Sequence, residues 1–246
     1  MTGSENPFDR FSAKLYLQEY YGDIGKENQF LLDFLHETYS AWSPESIWDV
    51  GGGPTIYQLI SASRKARRIR IFEYLDENRS AVELWRSGKP GGFDWSTYFA
   101  AVGSREGLGA DEIESRLKDR IQSVEAIDLF SEQPSLLKES QDWPPNAISS
   151  HFCVESITSD PSLFETAWKN LTSLVAPGAY LIMSLLKNAR QYSAGPHYFP
   201  AFPIEEIGLQ NRLKKEGFQD IELSTVPAEH GRDYEGIICV RAIRQI

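Results

Sequence analysis

The segment Ile47-Trp48-Asp49-Val50-Gly51-Gly52-Gly53-Pro54-Thr55-Ile56-Tyr57 predicts a short buried strand, a glycine turn and the start of a helix. Its first residues are apolar and favour a strand, and three consecutive glycines follow, which let the backbone approach a ligand closely. Pro54 suits the first turn of a helix, where a missing N–H costs nothing, and the helix start offers free N–H groups. We therefore expect a ligand-binding turn here.

A second predicted strand, residues 69–74, reads Ile-Arg-Ile-Phe-Glu-Tyr and places the acid Glu73 at its end, about twenty residues after the glycines. A glycine turn after one strand and an acid after the next is the arrangement that binds a nucleoside on an open α/β sheet, because the carboxylate accepts both ribose hydroxyls. Pro54 and Thr55 interrupt the dinucleotide fingerprint, which argues against NAD or FAD. A nucleoside without a pyrophosphate is favoured, and S-adenosylmethionine is the commonest. The alternative is a glycine-rich turn that binds no ligand.

Five segments carry longer motifs, and they occur in a fixed order along the chain. They are Tyr16-Leu-Gln-Glu-Tyr-Tyr21, Asp49-Val-Gly-Gly-Gly-Pro-Thr-Ile-Tyr57, Glu73-Tyr74 with Asn78, Phe93-Asp-Trp-Ser96, and Phe152-Cys-Val-Glu-Ser156 with Leu171 to Gly178. Together they resemble the small-molecule N-methyltransferases that act on nicotinamide, phenylethanolamine and indolethylamine. The second segment is similar to that family's signature D-I-G-x-G-P-T-I-Y-Q. The matches span nearly the whole chain, so the set is more specific than any single motif.

The resemblance implies an α/β fold of class I methyltransferase type, with a Rossmann-like sheet of seven mostly parallel strands and helices on both faces. The length of 246 residues and the 41% hydrophobic content suit one large domain. We expect residues 1–246 to form it, with residues 1–44 as an N-terminal helical lid and 45–246 as the core.

Strands and helices alternate through the predicted core, which indicates right-handed crossovers and a parallel sheet. The last two strands, 221–226 and 236–243, are joined by a short loop, so we expect a hairpin whose final strand is antiparallel. The other predicted strands are 124–128, 147–153 and 179–186. The predicted helices are 9–21, 27–42, 55–63, 77–87, 110–122, 161–175 and 204–216.

The formal net charge of −10 argues against nucleic acid and against an anionic membrane surface as partners. An acidic pocket rim would suit a cationic amine. Cys153 and Cys239 lie in apolar segments and are interpreted as buried reduced thiols, and no apolar segment has transmembrane length. The residues from Met1 to Asn6 are polar, without the hydrophobic part of a signal peptide. These features predict a cytoplasmic protein. The resemblance implies a small-molecule substrate, and we expect a monomer or weak homodimer.

The cofactor contacts follow from the resemblance, residue by residue. Gly51, Gly52 and Gly53 give the methionine part of S-adenosylmethionine backbone room, and Glu73 accepts the ribose hydroxyls. Asp128, at the end of the third strand, accepts the adenine amino group. The remaining contacts are Tyr16, Tyr21, Thr55 and Tyr57 at the methionine end, Tyr74 and Asn78 beside Glu73, Leu129 and Phe130 against the adenine, and His151.

Several of these residues have simpler interpretations. The tyrosines 16, 20 and 21 would be ordinary core residues if the first two helices did not form a lid. Asp128 is also a good helix N-cap. His151 stands where the similar enzymes carry Ser or Thr near the cofactor, so a buried core histidine is an equal alternative. No metal site is predicted.

Methyl transfer from a sulfonium needs little acid–base chemistry, since the enzyme has only to align a lone pair behind the methyl carbon and exclude water. An acceptor that arrives as an ammonium ion must first lose a proton. Glu155 matches the glutamate of F-C-L-E-A and is the candidate for the catalytic and amine-contacting residue, with a helix-capping or surface role as the alternative. Asp233 and Tyr192 are the further substrate-binding candidates. Asp233 matches an acidic position of the family's last loop, but a plain turn aspartate is the favoured interpretation.

The acceptor region departs most from the family pattern. Ser184 replaces an aspartate that the resemblance links to an amide substrate, which disfavours nicotinamide. The aromatic residues of the segment 190–203 either line a flat apolar pocket or pack as a hairpin without ligand contact. The nitrogen of an amine or N-heteroaromatic is the expected acceptor. The alternatives are an oxygen, sulfur or carbon acceptor, another use of the same cofactor, or an inactive cofactor-binding regulatory protein.

Overall fold

The computed structural model describes residues 6–131 and 144–246, in which strands and helices alternate. The strands are β1 (Ser46–Val50), β2 (Arg68–Phe72), β3 (Ile121–Glu125), β4 (Ala147–His151), β5 (Tyr180–Lys187), β6 (Gln191–Ala194), β7 (His197–Pro200), β8 (Phe218–Pro227) and β9 (Gly236–Arg244). The helices are α1 (Ala13–Tyr21), α2 (Lys26–Ala41), α3 (Tyr57–Ile60), α4 (Asp76–Arg86), α5 (Ser96–Glu106), α6 (Ala110–Arg120), α7 (Pro161–Ser173) and α8 (Glu206–Lys215), with 3₁₀ turns at Pro7–Arg10 and Ala62–Arg64.

The main sheet has seven strands in the order β3-β2-β1-β4-β5-β9-β8, and β6 and β7 form a separate hairpin. Strands β1 to β5 are parallel, whereas β9 runs antiparallel to both β5 and β8. The predicted class I methyltransferase fold and its antiparallel last strand are therefore confirmed. The carboxyl ends of β1 to β5 meet the amino end of β9 at one edge of the sheet.

Successive side chains of a strand point to opposite faces of the sheet, and here apolar side chains point to both. A core therefore forms on each face. Ile47 and Ile182 face a cluster that includes helices α2, α5 and α6, while Trp48 and Met183 face a cluster that includes α7 and α8. In the described ranges, no helix has the length and apolar character needed to cross a membrane.

The N-terminal helix predicted for residues 9–21 is two elements in the structure. The 3₁₀ turn covers residues 7–10, and α1 begins only at Ala13. Ser12 is the N-cap, with an extended backbone and a side chain that accepts a hydrogen bond from the N–H of Leu15. Such a cap fixes the helix start at a polar residue that periodicity alone does not recognise.

Strand β3 begins three residues earlier than predicted, at Ile121 in place of Val124. The backbone N–H of Ile121 still closes the last turn of α6, so helix and strand share this residue without a loop. Ile121 already pairs with Ile69 of β2. The prediction that Asp128 ends the strand is therefore wrong, since Asp128 lies in the loop beyond it.

Helix α5 was not predicted, and α3 is shorter than the predicted helix 55–63. A glycine in the middle of α5 obscured its helical pattern. Gly103 is needed because a Cβ there would lie 2.6 Å from the carbonyl oxygen of Leu108. Asp94 accepts a hydrogen bond from the N–H of Ser96 at 2.9 Å, which marks the start of this helix.

Candidate active site

A cavity of about 530 Å³ opens at the edge of the sheet where β1 to β5 end. The loops after these strands, the N-terminal segment, α2, the β6–β7 hairpin and the turn before β9 all contribute to its walls. In an open α/β sheet this edge is the usual ligand site. The cavity is therefore the candidate active site.

The glycine turn at the end of β1 needs its glycines for two different reasons. Gly51 and Gly53 have φ values of 69° and 65°, in the left-handed region that favours glycine. A Cβ on Gly51 would also lie 2.1 Å from Sγ of Cys153, and one on Gly52 would lie 2.5 Å from Oδ2 of Asp49. All three glycines line the cavity.

A cluster of buried polar side chains stabilises the glycine turn through hydrogen bonds. Oδ2 of Asp49 accepts a hydrogen bond from Nε2 of Gln58 at 2.9 Å, and Oγ1 of Thr55 donates to the carbonyl of Gly52 at 2.6 Å. Oδ1 of Asp49 has no hydrogen-bond partner among the described residues. Burial raises the pKa of the Asp49 carboxyl to about 7. Thr55 thus acts on the turn and does not itself line the cavity.

Glu73 joins the glycine turn to the next loop. Its Oε2 accepts from the N–H of Gly53 at 3.1 Å, and its Oε1 accepts from the N–H of Leu75 at 2.9 Å and from Nδ2 of Asn78 at 3.2 Å. Burial raises the pKa of Glu73, while these three donors lower it. Glu73, Tyr74 and Asn78 all line the cavity. Oδ1 of Asn78 is buried without a partner in the part of the chain described here, so it is free to accept from a ligand.

Asp128, Leu129 and Phe130 lie together along the next part of the wall. Oδ1 of Asp128 accepts from the N–H of Phe130 at 2.8 Å, which turns the loop and leaves Leu129 buried. Although β3 ends before Asp128, the loop brings all three residues to the cavity wall.

The aromatic residues of the N-terminal segment cover the glycine turn. Tyr16 and Tyr21 line the cavity, and their ring centroids are 5.8 Å apart. Tyr21 stacks on Tyr57 at 5.2 Å. Tyr57 is buried behind Tyr21 and does not line the cavity, so it supports the cavity wall through its contact with Tyr21.

His151 lines the cavity but is a satisfied buried residue. Its Nδ1 lies 2.9 Å from Oγ of Ser184, and its Nε2 lies 3.0 Å from Oγ of Ser149. Burial lowers the pKa of His151 to about 3, so the imidazole is neutral. The core-histidine alternative therefore describes its hydrogen bonds, and its place in the cavity wall leaves the expected cofactor contact a prediction.

Glu155 is fully buried behind the wall and does not line the cavity. Its Oε1 accepts from the N–H of Leu186 at 2.9 Å and from Oγ of Ser156 at 3.2 Å, and both of these residues line the cavity. Its Oε2 has no hydrogen-bond partner in the described ranges. Burial raises the pKa of Glu155 to about 7, so its proton is exchangeable near neutral pH.

The aromatic segment 190–203 is the β6–β7 hairpin, and its rings have different surroundings. Tyr192 lines the cavity and packs against Phe199, whereas Tyr198 is 63% exposed and Phe202 stacks on Phe164 in the core. Both alternatives for this segment hold in part. The hairpin is packed, and Tyr192 alone of these four rings reaches the cavity.

Asp233 is exposed in the turn between β8 and β9 and does not line the cavity. Its neighbour Tyr234 does, and so do Glu27, Tyr20, Phe8 and Phe11, none of which the sequence assigned to the site. Tyr20 and Phe11 carried a signal, because they lie in the aromatic N-terminal stretch. Glu27 and Tyr234 carried none, because nothing local indicates that they meet.

The walls of the cavity are aromatic and acidic. The lining residues in the described chain include four carboxylates and no Lys or Arg; the carboxylates belong to Glu27, Glu73, Asp128 and Asp160. The described residues contain no cluster of His, Cys, Asp and Glu suited to a metal ion. Such a cavity suits a cationic or neutral aromatic ligand better than an anion.

Comparisons with known proteins agree with this geometry. The model of the NNMT/PNMT/TEMT family matches residues 1–244. Phenylethanolamine N-methyltransferase of Sus scrofa is 30% identical over 229 residues, which cover 89% of this chain and 81% of that protein. Nicotinamide N-methyltransferase of Homo sapiens is 27% identical over 227 residues, covering 88% of this chain and 85% of that protein.

A solved structure has a similar fold. It is the N-methyltransferase NodS from Bradyrhizobium japonicum WM9 in complex with S-adenosyl-L-homocysteine, with a TM-score of 0.61 and 11% sequence identity. The match covers 98% of this chain and 99% of that chain. At this identity the similarity concerns the fold alone.

Proposed function

The chain belongs to the NNMT/PNMT/TEMT family, and from this premise we propose that it methylates the nitrogen of a small aromatic amine or N-heteroaromatic compound. It is an S-adenosylmethionine-dependent methyltransferase with a small-molecule acceptor. The two relatives described above methylate phenylethanolamine and nicotinamide, as their names state. The finer choice of acceptor rests on the cavity.

The order of groups along the edge of the sheet is the observation that carries the proposal. In the strand order β3-β2-β1-β4-β5-β9, Asp128 follows β3, Glu73 follows β2 and the glycine turn follows β1. We assign these positions to the adenine, ribose and methionine parts of the cofactor. The space over β4, β5 and β9 then remains for the acceptor.

The other predicted cofactor residues keep their roles in this proposal, with two adjustments. Several of them line the cavity, and we assign these a direct contact with the cofactor: Tyr16, Tyr21, Tyr74, Asn78, Leu129, Phe130 and His151. Thr55 and Tyr57 act indirectly, because Thr55 holds the glycine turn and Tyr57 supports the ring of Tyr21. Residues 1–44 serve as the lid of a single domain, 1–246.

The acceptor half of the cavity favours an aromatic compound without an anionic group. Phe8, Phe11 and Tyr192 form an apolar wall, and Phe8 and Phe11 both pack against Phe199 of the hairpin. A carboxylate on the acceptor would meet other carboxylates and no cationic side chain in the described part of the wall. Ser184 stands where the resemblance to the family expects an aspartate that it links to an amide substrate. This replacement favours an amine over nicotinamide. The Ser184 hydroxyl contacts His151.

Methyl transfer requires the lone pair of the acceptor to lie in line behind the methyl carbon of S-adenosylmethionine. The positively charged sulfur already activates this carbon. The protein's part is to bind both molecules, align them and exclude water. An amine that enters as an ammonium ion must lose a proton, and we assign this step to Glu155 because its Oε2 is free and its pKa is about 7. Reaching the amine requires a small movement of Glu155 or a bridging water, since Glu155 lies just behind the wall. Asp233 lies outside the cavity lining, next to Tyr234, and is assigned only a weaker electrostatic role.

The remaining expectations are proposals of the same standing. The net charge of −10 and the two buried free cysteines, Cys153 and Cys239, support a cytoplasmic protein that binds neither nucleic acid nor membranes. We expect it to be a monomer or a weak homodimer.

Calorimetric titration of S-adenosylhomocysteine into the wild type, Glu73→Gln and the control Glu83→Gln tests the cofactor assignment. Glu83 lies on the exposed side of α4 and pairs with Arg86. Losing a charged acceptor of hydrogen bonds costs about 1.5–3 kcal/mol, so Glu73→Gln should bind at least about tenfold more weakly while the control is unchanged. Absence of binding to the wild type would refute the assigned site. Turnover of phenols or thiols in place of amines would refute the nitrogen acceptor.

A further inference from the structure

Two residues from distant parts of the chain form a polar pair in the acceptor half of the cavity. The hydroxyl of Tyr234 donates a hydrogen bond to Oε2 of Glu27 at 2.8 Å. Glu27 is 5% exposed and Tyr234 is 7% exposed, and both line the cavity. The pair is thus buried within the protein but faces the space assigned to the acceptor.

The surrounding residues hold this pair in one arrangement. Oε1 of Glu27 accepts from the N–H of Glu229 at 3.0 Å, and Nε of Arg232 lies 3.7 Å from Oε2. The guanidinium of Arg232 lies over the ring of Tyr20 at 4.5 Å. Burial and the neighbouring Glu27 carboxylate raise the pKa of Tyr234, so its hydroxyl keeps its proton.

The position of the pair separates it from the methyl-transfer centre. Tyr234 lies just before β9, at the same edge of the sheet as the glycine turn that follows β1. Strands β4 and β5 lie between β1 and β9, so Tyr234 and the glycine turn lie at different places along this edge of the sheet. An acceptor whose nitrogen lies beside the methionine end would reach the pair with the opposite end of the molecule.

The chemistry of the pair determines what it binds. The hydrogen of the Tyr234 hydroxyl is directed to Glu27, so the pair offers a ligand only lone pairs of oxygen. A ligand group there must therefore donate a hydrogen bond, and one that can only accept would leave buried oxygens opposed to each other.

We propose that Glu27 and Tyr234 select acceptors that carry a hydroxyl or N–H group at the end remote from the methylated nitrogen. This inference rests on the proposed function and deepens it. The competing explanation is that the pair only fastens α2 to the turn between β8 and β9.

The test uses three amines that differ at one position of the ring: phenylethylamine, tyramine with a hydroxyl, and 4-methoxyphenylethylamine with an acceptor only. The variants are Tyr234→Phe, which removes the oxygen, and Glu27→Gln, which keeps the shape and removes the charge. Tyr198→Phe is the control, because Tyr198 lies 63% exposed on the hairpin. For each protein, kcat/KM is measured for the three amines, and the affinity for S-adenosylhomocysteine is measured by calorimetry.

The wild type and the control should prefer tyramine to phenylethylamine by about tenfold, and phenylethylamine to the methoxy compound. Tyr234→Phe should abolish the preference for tyramine. Glu27→Gln should reduce that preference and improve the methoxy compound relative to the wild type, because a side-chain amide can donate. The affinity for S-adenosylhomocysteine should change less than about twofold in both, since the pair lies away from the cofactor half.

Ratios unchanged in both variants, or an equal fall in kcat/KM for all three amines, would overturn the inference and leave a fastening role. A wild type without preference for tyramine would overturn it as well. Absence of turnover of every amine despite binding of S-adenosylhomocysteine would instead refute the proposed function, and the inference with it.

Discussion

Besides Glu27, three buried carboxyl groups of the described chain lie in or beside the cavity, and their surroundings give them different properties. Glu73 has three hydrogen-bond donors and faces the cavity, so it is suited to accept ribose hydroxyls. Asp49 accepts a hydrogen bond from Gln58 and so stabilises the glycine turn. Glu155 has one oxygen without a partner in the described structure and a pKa of about 7. Residue type alone therefore does not assign these roles, because the partners of each oxygen decide them.

Glu155→Gln tests the role of Glu155 through the pH dependence of activity. Only the carboxylate accepts a proton from the amine, so kcat/KM of the wild type should rise with pH through about 7. The variant should lack this rise, and its kcat/KM should be lower by about 100-fold or more, because a general base typically contributes a factor of this size to the rate. Steady-state rates between pH 5.5 and 8.5 measure both effects.

The matched control is Glu165→Gln, because Glu165 is an exposed glutamate on α7 that pairs with Arg212. It should keep the wild-type profile. A variant at Glu155 that retains the rise near pH 7 would show that another group is responsible.

The cavity is closed on one side by contacts between two elements, the N-terminal segment with α1 and the β6–β7 hairpin. Glu19 accepts from Oγ of Ser193 at 2.8 Å and from the N–H of Gly195 at 2.9 Å, and the hydroxyl of Tyr20 donates to the carbonyl of Ser193 at 2.9 Å. The ring of Phe8 stacks on Phe199 at 5.5 Å. These contacts lie between an early and a late part of the chain and are few enough to open locally without unfolding the sheet.

Glu19→Ala should loosen this side of the cavity. Hydrogen exchange should become faster in residues 13–21 and 191–200, by about tenfold if the lost charged acceptor contributes about 1.5 kcal/mol. KM for the acceptor should increase, because the hairpin carries Tyr192 at the cavity wall. Mass spectrometry of exchanged peptides resolves the two segments from the rest of the chain.

The control for this change is Glu37→Ala, on the exposed side of α2. Exchange in the two segments should then equal that of the wild type. Equal acceleration throughout the chain in Glu19→Ala would indicate general destabilisation and would contradict a local closing contact.

At the scale of the whole molecule, folding buries a histidine in the sheet as a neutral group. His151 lies between Ser149 and Ser184 on adjacent strands, and its pKa falls from the ordinary value of 6.5 to about 3. Between these values the unfolded chain binds a proton that the folded chain does not. The stabilisation is therefore complete above about pH 6.5 and is lost as the pH falls towards 3.

His151→Asn should weaken this dependence. The free energy of unfolding of the wild type should decrease more steeply as the pH is lowered from 6 to 4, by about 1.4 kcal/mol per pH unit for one proton. Asp49 and Glu155 act in the opposite direction, because their raised pKa values make the folded state less stable as pH rises from about 4 to 7. They are present in both proteins and cancel in the difference.

Urea unfolding at a series of pH values measures this slope. The control is His230→Asn, because His230 is exposed in the turn before β9. Parallel curves for the wild type and His151→Asn would contradict a neutral buried imidazole.

Local patterns in the sequence determined the fold and predicted most of the residues proposed to bind the cofactor. The alternation of apolar strands with helices predicts a parallel α/β sheet, and the glycine turn and Glu73 each follow a strand directly. Such features depend on neighbours in the chain, so they can be recognised without tertiary contacts. The local signal was weak at two places. The glycine inside α5 obscured that helix, which was not predicted. The residue shared between α6 and β3 led to a predicted strand start three residues too late.

Only the tertiary structure decided the acceptor half. Glu27 and Tyr234 are separated by 207 positions in the sequence, and they meet because β9 inserts antiparallel beside β5 and brings the preceding turn to the cavity. In the same way, packing placed Glu155 behind the wall and left Asp233 exposed, although the sequence made both of them substrate-binding candidates. Strand order and side-chain packing are long-range properties, and they determine which oxygens a substrate can reach.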